Sequence, residues 1–507
     1  MASKNYVLDH FKGLNRSAFR FNMDKEFLWD HRNGYIEVDK TNRGVLAQRD
    51  GISKYNSTVI NDSSTKVRKL FEARFNGGTN AVIARANDAW YRYSGSDFTS
   101  LDGSRGTDNK GDAVMFSNTL VMVDGGVPRK SDSSWTVSDV SADANMPQDA
   151  TAVWVHNHRL WMNSSTNKHM VYGSKVDAFT GATDWTGGTD AIQLDMTAVL
   201  PFGDEVLGFR TIGDLMLVIF CKKHIVIYDA PTTASDVTIK QVINVGAVNM
   251  TPMAQLAKDW VYPTRSGLKN LISSQAYEKF SPKDLTSLIE PLYREYMDDD
   301  SDVGALTGTY YNKLDVLFMT FHPTAGNADT LVYSPKHQNV VSRWQFHANP
   351  YSWLETADGE LYIGMDDGFV YKYDKTTATD DGTKVSYAIT PASLGVDSLN
   401  VYKSPRLLEM LIEADGDVTV SVDYWFGLND SSAPTTTKSV SINVSESLWD
   451  EAVWDVAEWD GSNRELIRMF GLYGRGRNVN ITIRHDTAGT RIKIPYAILK
   501  TILLGEK

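Results

Sequence analysis

"TADGELYIGMDDGFVYKYD", residues 356–374, carries two turn signals, Asp358-Gly359 and Asp366-Asp367-Gly368. Between them Leu361, Ile363 and Met365 alternate with Tyr362 and Gly364, and Val370 then sits between Phe369 and Tyr371. Alternation at period two puts one set of side chains on one face of a strand, and Asp-Gly closes a tight reversal between two such strands. The stretch predicts a β-hairpin. Its fold-level meaning depends on whether it recurs.

It does recur. "NAVIARANDAWYRY" turns at Asn87-Asp88, "DAVMFSNTLVMVDGG" at Ser117-Asn118 and again at Asp124-Gly125-Gly126, "AVWVHNHRLWMNSS" at Asn157, and "VLGFRTIGDLMLVIFCKKHIVIYD" at Gly213-Asp214. Fainter copies turn at Arg265-Ser266-Gly267 and at Asn312-Lys313. Successive turns lie 30 to 56 residues apart. Uneven steps of that size, each holding three or four short strands, predict a degenerate β-propeller of six or seven blades over residues 51–375, with the opening hairpin as the outer half of a late blade.

One stretch departs from the β pattern. "SPKDLTSLIEPLYREYMDD" offers Ser281 as N-cap, Pro282 at the first helical position and Asp284 at the third, followed by Leu285, Leu288, Ile289 and Leu292 at helical spacing. It predicts a helical insertion near 281–297. After the polar connector "DKTTATDDGTK", residues 376–507 read as an antiparallel β-sandwich, with "LLEMLIEADGDVTVSVDYWFG" as a hairpin turning at Asp415-Gly416-Asp417. Residues 1–50 read as an extended arm with the first strands, leading into the first blade.

Composition supports an all-β-dominated chain. Its 507 residues hold 37 glycines against 15 prolines, with 23 tyrosines and 13 tryptophans. The one cysteine, Cys221, excludes an internal disulfide, so stability must come from packing or assembly. The opening "MASKNYVLDHFKGLNRSAFR" is charged throughout and lacks an apolar signal core, and "LMLVIF" (215–220) is too short to span a bilayer. A net charge of −12 argues against a protein that grips nucleic acid, yet suits a surface past which DNA slides.

Candidate chemistry is sparse. Cys221, beside Lys222 and Lys223, reads as a small buried hydrophobe rather than a nucleophile. His156 and His158 would share a strand face and, with His169, hold a metal only if the strand ran through Asn157, which instead suits a turn. "DDDSD" (298–302) lacks the ligand spacing and glycine of a calcium loop, and "GSRGTDNKGD" (103–112) lacks the Gly-Lys-Ser/Thr ending of a phosphate cradle. Thr356-Ala357-Asp358-Gly359 misses the spacing of the Asp box of sialidase-like blades by one residue. Trp449, Trp454 and Trp459, each followed by Asp, recur every five residues, a period that fits neither helix nor strand; core, sheet-edge or interface packing is the preferred reading and an exposed sugar platform the sharper one. No catalytic, cofactor-binding or metal-binding set is assigned.

The order of these features resembles the tail nozzle proteins of short-tailed bacteriophages, also called tubular tail protein B or packaged-DNA-stabilisation proteins. "GLNRS … GVLAQRDGI" is similar to that family's opening, in which Gly-x-Leu-x-x-Arg-x-Gly follows a Gly-Leu-Asn; where relatives often carry Pro between the Arg and the Gly, this chain has Asp50. "AVWVHNHRLWMN" with "MVYGSKVDAFTGATDW", then "VLGFRTIGDLMLVIFCKKHIVIYD", "VSRWQFHA … LYIGMDDGFVYKYD" and "RELIRMFGLYGRGRNVNITIRHD" resemble successive blades and the terminal sandwich, so the resemblance spans nearly the whole chain.

The resemblance implies a structural virion protein, not an enzyme, assembled in the bacterial host cytoplasm. It would form a homo-oligomeric ring, usually a hexamer, below tail adaptor proteins and beside fibre, spike or needle proteins. Such a ring continues the channel for double-stranded DNA, retains the packaged genome without specific binding, and opens for ejection on host engagement. "TSLDGSRGTDNKGD" and the region around 298–304 are the candidate gate loops. Two other readings stay open from the residues alone: a propeller-type glycan hydrolase, which needs two facing carboxylates, and a carbohydrate-binding receptor module.

Overall fold

The computed structural model describes residues 3–38, 44–62, 65–78, 80–103, 105, 110–187, 190–200, 203–251, 253–256, 259–274, 279–299, 305–394, 401–427, 436–442 and 465–506. Seven antiparallel four-stranded units follow one another. The first comprises Val67–Ala73, Ala81–Ala86, Ala89–Tyr93 and Phe98–Asp102, paired in chain order. Blades 2 to 6 occupy 112–139, 153–195, 206–243, 254–284 and 307–344 with the same up-and-down order. Their first strands are the innermost: that of blade 1 packs on those of blades 2 and 7, and those of blades 3 and 4 on each other. This is a seven-bladed β-propeller.

The turns follow from residues that tolerate positive φ. Ser117-Asn118 and Asn157-His158 are both left-handed at φ 47°/59° and 46°/59°, the signature of the two-residue turns whose twist matches that of the flanking strands. Asn87 (φ 51°), Gly213 (60°) and Gly359 (74°) close three other predicted hairpins.

Blade 7 corrects the reading of the opening stretch. Pro350–Glu355 is its inner strand, and Leu361–Met365 and Val370–Asp374 are the two middle strands rather than the outer half. The outermost strand comes from the other end of the chain: Gly51–Lys54 pairs with Val370–Asp374, Ile52 opposite Tyr373. The ring is therefore closed by hydrogen bonds between residues some 320 apart in sequence. Gly364 makes the next seam possible, since a Cβ there would lie 2.4 Å from Ser352 Oγ and 2.6 Å from Val67 Cγ1 of blade 1.

The first fifty residues are not an extended arm. Ser3–Leu8, Gly34–Val38 and Gly44–Gln48 join Val401–Ala414, Glu465–Gly471 and Ile492–Glu506 in one six-stranded sheet. Gly13–Leu14 and Phe27–Arg32 join Tyr387–Pro391, Asn480–His485, Val418–Trp425 and Thr436–Ile442 in a second sheet. The sandwich is thus built from both ends of the chain. Its second sheet continues into blade 6 through Arg32 beside Arg343, and one apolar core runs through both parts.

Asp415-Gly416-Asp417 does not close a hairpin. Among the described strands, the one before it pairs with Glu465–Gly471 and Ile492–Glu506, and the one after it with Thr436–Ile442 and Asn480–His485. The chain arches from one sheet to the other, so Leu408, Met410 and Ile412 join Val418, Val420 and Val422 in the sandwich core.

The helical insertion begins later than its sequence suggested. Lys279–Asp284 is the last strand of blade 5, and the α-helix is Glu290–Asp299, preceded by a 3-10 turn at Ser287–Ile289. Ser281, Pro282 and Asp284 face Ile272, Leu271 and Lys269 across the ladder. Pro291, at the second residue of the helix, occupies the first turn, where a missing N–H costs nothing. No helix among the described residues is long and apolar enough to cross a membrane.

Candidate functional site

The residues singled out by sequence are dispersed. Cys221 is fully buried at the end of Met216–Cys221, and burial, with Asp204 adding to it, pushes its thiol well above the usual range. His156 is buried, its ring nitrogens 3.1 Å from Thr211 Oγ1 and from the Ala230 carbonyl, and burial lowers its pKa. The Asn157-His158 turn points His158 away to Asp177, 3.0 Å distant at the surface, while His169 faces Asp195 at 4.0 Å. Among the described residues no three metal-ligating side chains converge.

Trp449, Trp454 and Trp459 lie outside the described residues, as do 104, 106–109 and 300–304 of the two candidate gate loops. The flanks of 103–112 are anchored. Arg105 reaches Asp102 at 3.5 Å and Asp124 at 3.3 Å, and Lys110 donates 2.8 Å to the Leu306 carbonyl at the entry to blade 6. The Lys110 side chain thus links the start of blade 2 to the entry of blade 6.

Two regions bring chemistry-bearing side chains together, and neither is a local motif. The first is the seam between propeller and sandwich. Arg49, fully buried, grips Asp380 through both guanidinium ends at 2.8 and 2.6 Å, and donates to Asn33 Oδ1, the Asp50 carbonyl and the Gln345 carbonyl. Its plane lies 4.4 Å from the Phe346 ring. Its neighbours hold on too: the Gln48 amide oxygen accepts from His485 Nδ1 at 2.9 Å, and Asp50 accepts from Tyr373 Oη and Arg491 at 3.1 and 2.5 Å. Gly51 lies against Thr379, where a Cβ would be 2.0 Å from the carbonyl. Gln-Arg-Asp-Gly, 48–51, thus ties the sandwich to blades 6 and 7. The Asp50 side chain and its N–H, which donates to Tyr373 Oη at 3.3 Å, would both be lost with proline there.

A second knot lies beside it. Arg343 of blade 6 binds both oxygens of Asp30 from the sandwich and also reaches Asp329 (3.1 Å) and Tyr296 Oη (2.6 Å) of the helix. A hollow of about 960 Å³ opens along this seam, lined by five basic and five acidic side chains. Lys493–Glu37 (2.6 Å) and Arg491–Asp415 (2.8 Å) pair off charges across it.

The second region is the propeller mouth at the end where the innermost strands begin. A hollow of about 1120 Å³ is walled by blades 1 to 5. Seven basic side chains line it against two acidic ones, in a chain whose net charge is −12. Lys69 pairs with Asp112 at 2.8 Å and Lys222 with Glu205 at 2.7 Å. Arg210 is held differently: its guanidinium lies 4.7 and 5.3 Å from the Trp154 and Trp260 rings and donates to the Phe209 and Met250 carbonyls. Both indole N–H groups bond to Thr211, which fixes the platform. The mouth's rim is equally fixed. Asp204 accepts from the backbone of Lys223 and His224, and a Cβ on Gly246 would lie 2.3 Å from the Lys222 carbonyl. No sequence window shows this cluster, because its members are spread from Arg68 to Arg265.

No known family profile matches the chain, and no curated protein matches it. Among solved structures it is similar to a streptogramin B lyase at 11% identity, covering 63% of this chain and 96% of that one with a TM-score of 0.42. The Neurospora crassa Pan2 WD40 domain matches at 9% identity, 62% and 98% coverage, and a TM-score of 0.39. The extracellular domain of a putative hybrid two-component system from B. thetaiotaomicron matches at 9% identity and a TM-score of 0.40, over 64% of this chain and 40% of that longer one.

Proposed function

We propose that the chain is a structural subunit of the tail nozzle of a short-tailed bacteriophage, a ring that continues the DNA channel, retains the packaged genome and opens for ejection. The whole-chain sequence resemblance brings this reading forward. The observation that supports it is an apolar outer face suited to contact with another subunit. On the outer side of the six-stranded sheet, Val7, Ile498, Glu409 and Met469 stand in one cross-strand row, and Tyr496, Leu411 and Ile467 in the next. Val7, Ile467 and Met469 are 45%, 51% and 58% exposed. The only charge in the two rows, Glu409, is paired with Lys500 at 2.7 Å. The patch ends at Glu465–Gly471, a sheet edge paired on one side only among the described residues. Contiguous apolar side chains next to an open edge mark a protein contact.

The interlocked seam suits the same role. A subunit that transmits a pull between tail neighbours must not separate into its parts, and Arg49, Arg343 and the closing strand Gly51–Lys54 bind them together. Tail adaptors above, fibre, spike or needle proteins below, and a virion location follow from this reading.

The test is assembly. Purified protein, alone and with a tail adaptor, gives rings or tubes with a central channel in negative-stain images. Ile467→Glu with Met469→Glu gives folded monomers by light scattering. A stable wild-type monomer that cleaves or binds surface polysaccharide overturns the proposal.

A further inference from the structure

We propose that the basic mouth of the propeller is a binding site for a small oligophosphate, a molecule carrying two or more linked phosphate groups. Excess positive charge confined to a concave wall is what distinguishes this hollow from the charge-balanced one at the seam. Lys69 and Lys222 have acidic partners. Among the described residues no carboxylate lies within ion-pair distance of Arg210, Lys223 or Arg265. The one carboxylate that acts on Arg210 through its charge, Asp112, is already engaged by Lys69. Three cations line one hollow without a carboxylate of their own, and an anion with several charges supplies the counter-charge they lack.

The arrangement also selects the kind of anion. Arg210 cannot swing out: two indoles and two backbone carbonyls fix its plane, so its remaining N–H groups are oriented before any ligand arrives. A fixed guanidinium fork matches the spacing of phosphate oxygens, whereas the exposed Lys223 and Arg265 at the rim supply mobile charge to a second phosphate. The turn that carries Lys223 is pinned by Asp204 and by the close approach of Gly246. Size argues for a small ligand. At about 1120 Å³, with the Lys110–Leu306 contact bridging the blade 6 side, the hollow takes a small molecule and not a duplex. The site lies within one chain, so it stands whether or not copies assemble.

The experiment is titration of the full chain with sodium tripolyphosphate at low salt, followed by calorimetry and by the fluorescence of Trp154 and Trp260. Citrate, as a carboxylate of similar charge, and oligo(dT) are the comparison ligands. Tripolyphosphate binds one equivalent at least tenfold more tightly than citrate and more tightly than oligo(dT). Arg210→Met weakens it at least tenfold, and Lys223→Gln with Arg265→Gln, surface changes that leave the fold intact, weakens it severalfold and flattens its salt dependence. Absence of saturable binding, equal affinity for citrate, or affinity unchanged in both variants overturns the proposal. Tighter binding of oligo(dT) overturns it in favour of a nucleic-acid strand.

Discussion

Arg49 sits between two hydrophobic stretches in the sequence and looks like a surface turn residue, yet it is wholly buried with its charge matched by Asp380 331 positions away. A buried ion pair is costly to form, but losing one partner leaves the other charged and dry, which costs about 3–5 kcal/mol. Arg49→Ala should lower the chemical-denaturation stability by that amount, and Arg49→Lys by less, since a lysine keeps the charge and loses the fork. Gly364 gives a test at the ring's closing seam. Val in its place must displace Ser352 or Val67, and an overpacked site of this kind costs about 1–3 kcal/mol. Acid gives a third test. His31 and His485 are fully buried, and burial holds each to about 4, against the pull of Asp30 on the first and of Asp486 and Asp415 on the second. His31 donates through Nδ1 to the Val341 carbonyl and, among the described residues, has no acceptor for a proton on Nε2. A histidine whose folded pKa is depressed binds its proton more readily when unfolded, so its contribution is complete above pH 6.5 and is lost between pH 6.5 and 4. Each should remove on the order of 3 kcal/mol over that window. His485→Gln, which keeps a hydrogen bond to Gln48, should flatten the profile in urea melts at stepped pH.

At the scale of elements, turn chemistry and alternation located strands well and their partners less well. Asn87-Asp88 and Ser117-Asn118 close the hairpins expected of them, because a two-residue reversal leaves the flanking strands nowhere to pair but with each other. The three-residue turn at 415–417 carries equal Asp-Gly signal and makes an arch, since both flanking strands gain more by burying Met410 and Val420 in one core than by pairing. The helix start was misplaced for a similar reason. Ser281-Pro282 has the form of a cap, but pairing with Ile272 and Leu271 completes blade 5, and tertiary pairing overrides local preference. Neither candidate site was legible, as Arg210's platform and Arg49's clamp are assembled from segments whose nearness no spacing encodes. The short strand Gly51–Lys54 was the most deceptive element. Placed by its sequence at the start of the propeller, it is instead the lock of the last blade, with Ile52 buried opposite Tyr373. Its amide protons should therefore exchange as slowly as those of Val370–Asp374 and more slowly than those of the exposed edge Thr238–Ile243, as peptide-resolved hydrogen exchange will show.

For the whole molecule, the topology decides how it comes apart. The N-terminal 54 residues supply strands to both sandwich sheets and then close the ring, so neither part is complete without them. The core passes unbroken from Leu28 and Leu46 in the sandwich, through Trp344 and Phe318 in blade 6, to Leu361 and Ile363 in blade 7. Multidomain chains usually unfold in steps because few contacts cross between their domains. Here the crossing contacts include a shared sheet, two buried arginine knots and that common core. Sandwich and propeller blades 6, 7 and 1 should therefore melt together. The transition seen by calorimetry should coincide with the loss of protection in both the 401–414 and 350–374 segments. Removing residues 1–54 should abolish the fold of the sandwich and of blades 6, 7 and 1, leaving no protected amides in 401–414 or 350–374, while a fragment confined to the propeller should lose its ring closure before its individual blades. A truncated chain that retains a native-like propeller melt, or two separated transitions in the intact chain, would show that the seam joins two independent domains instead of making them one.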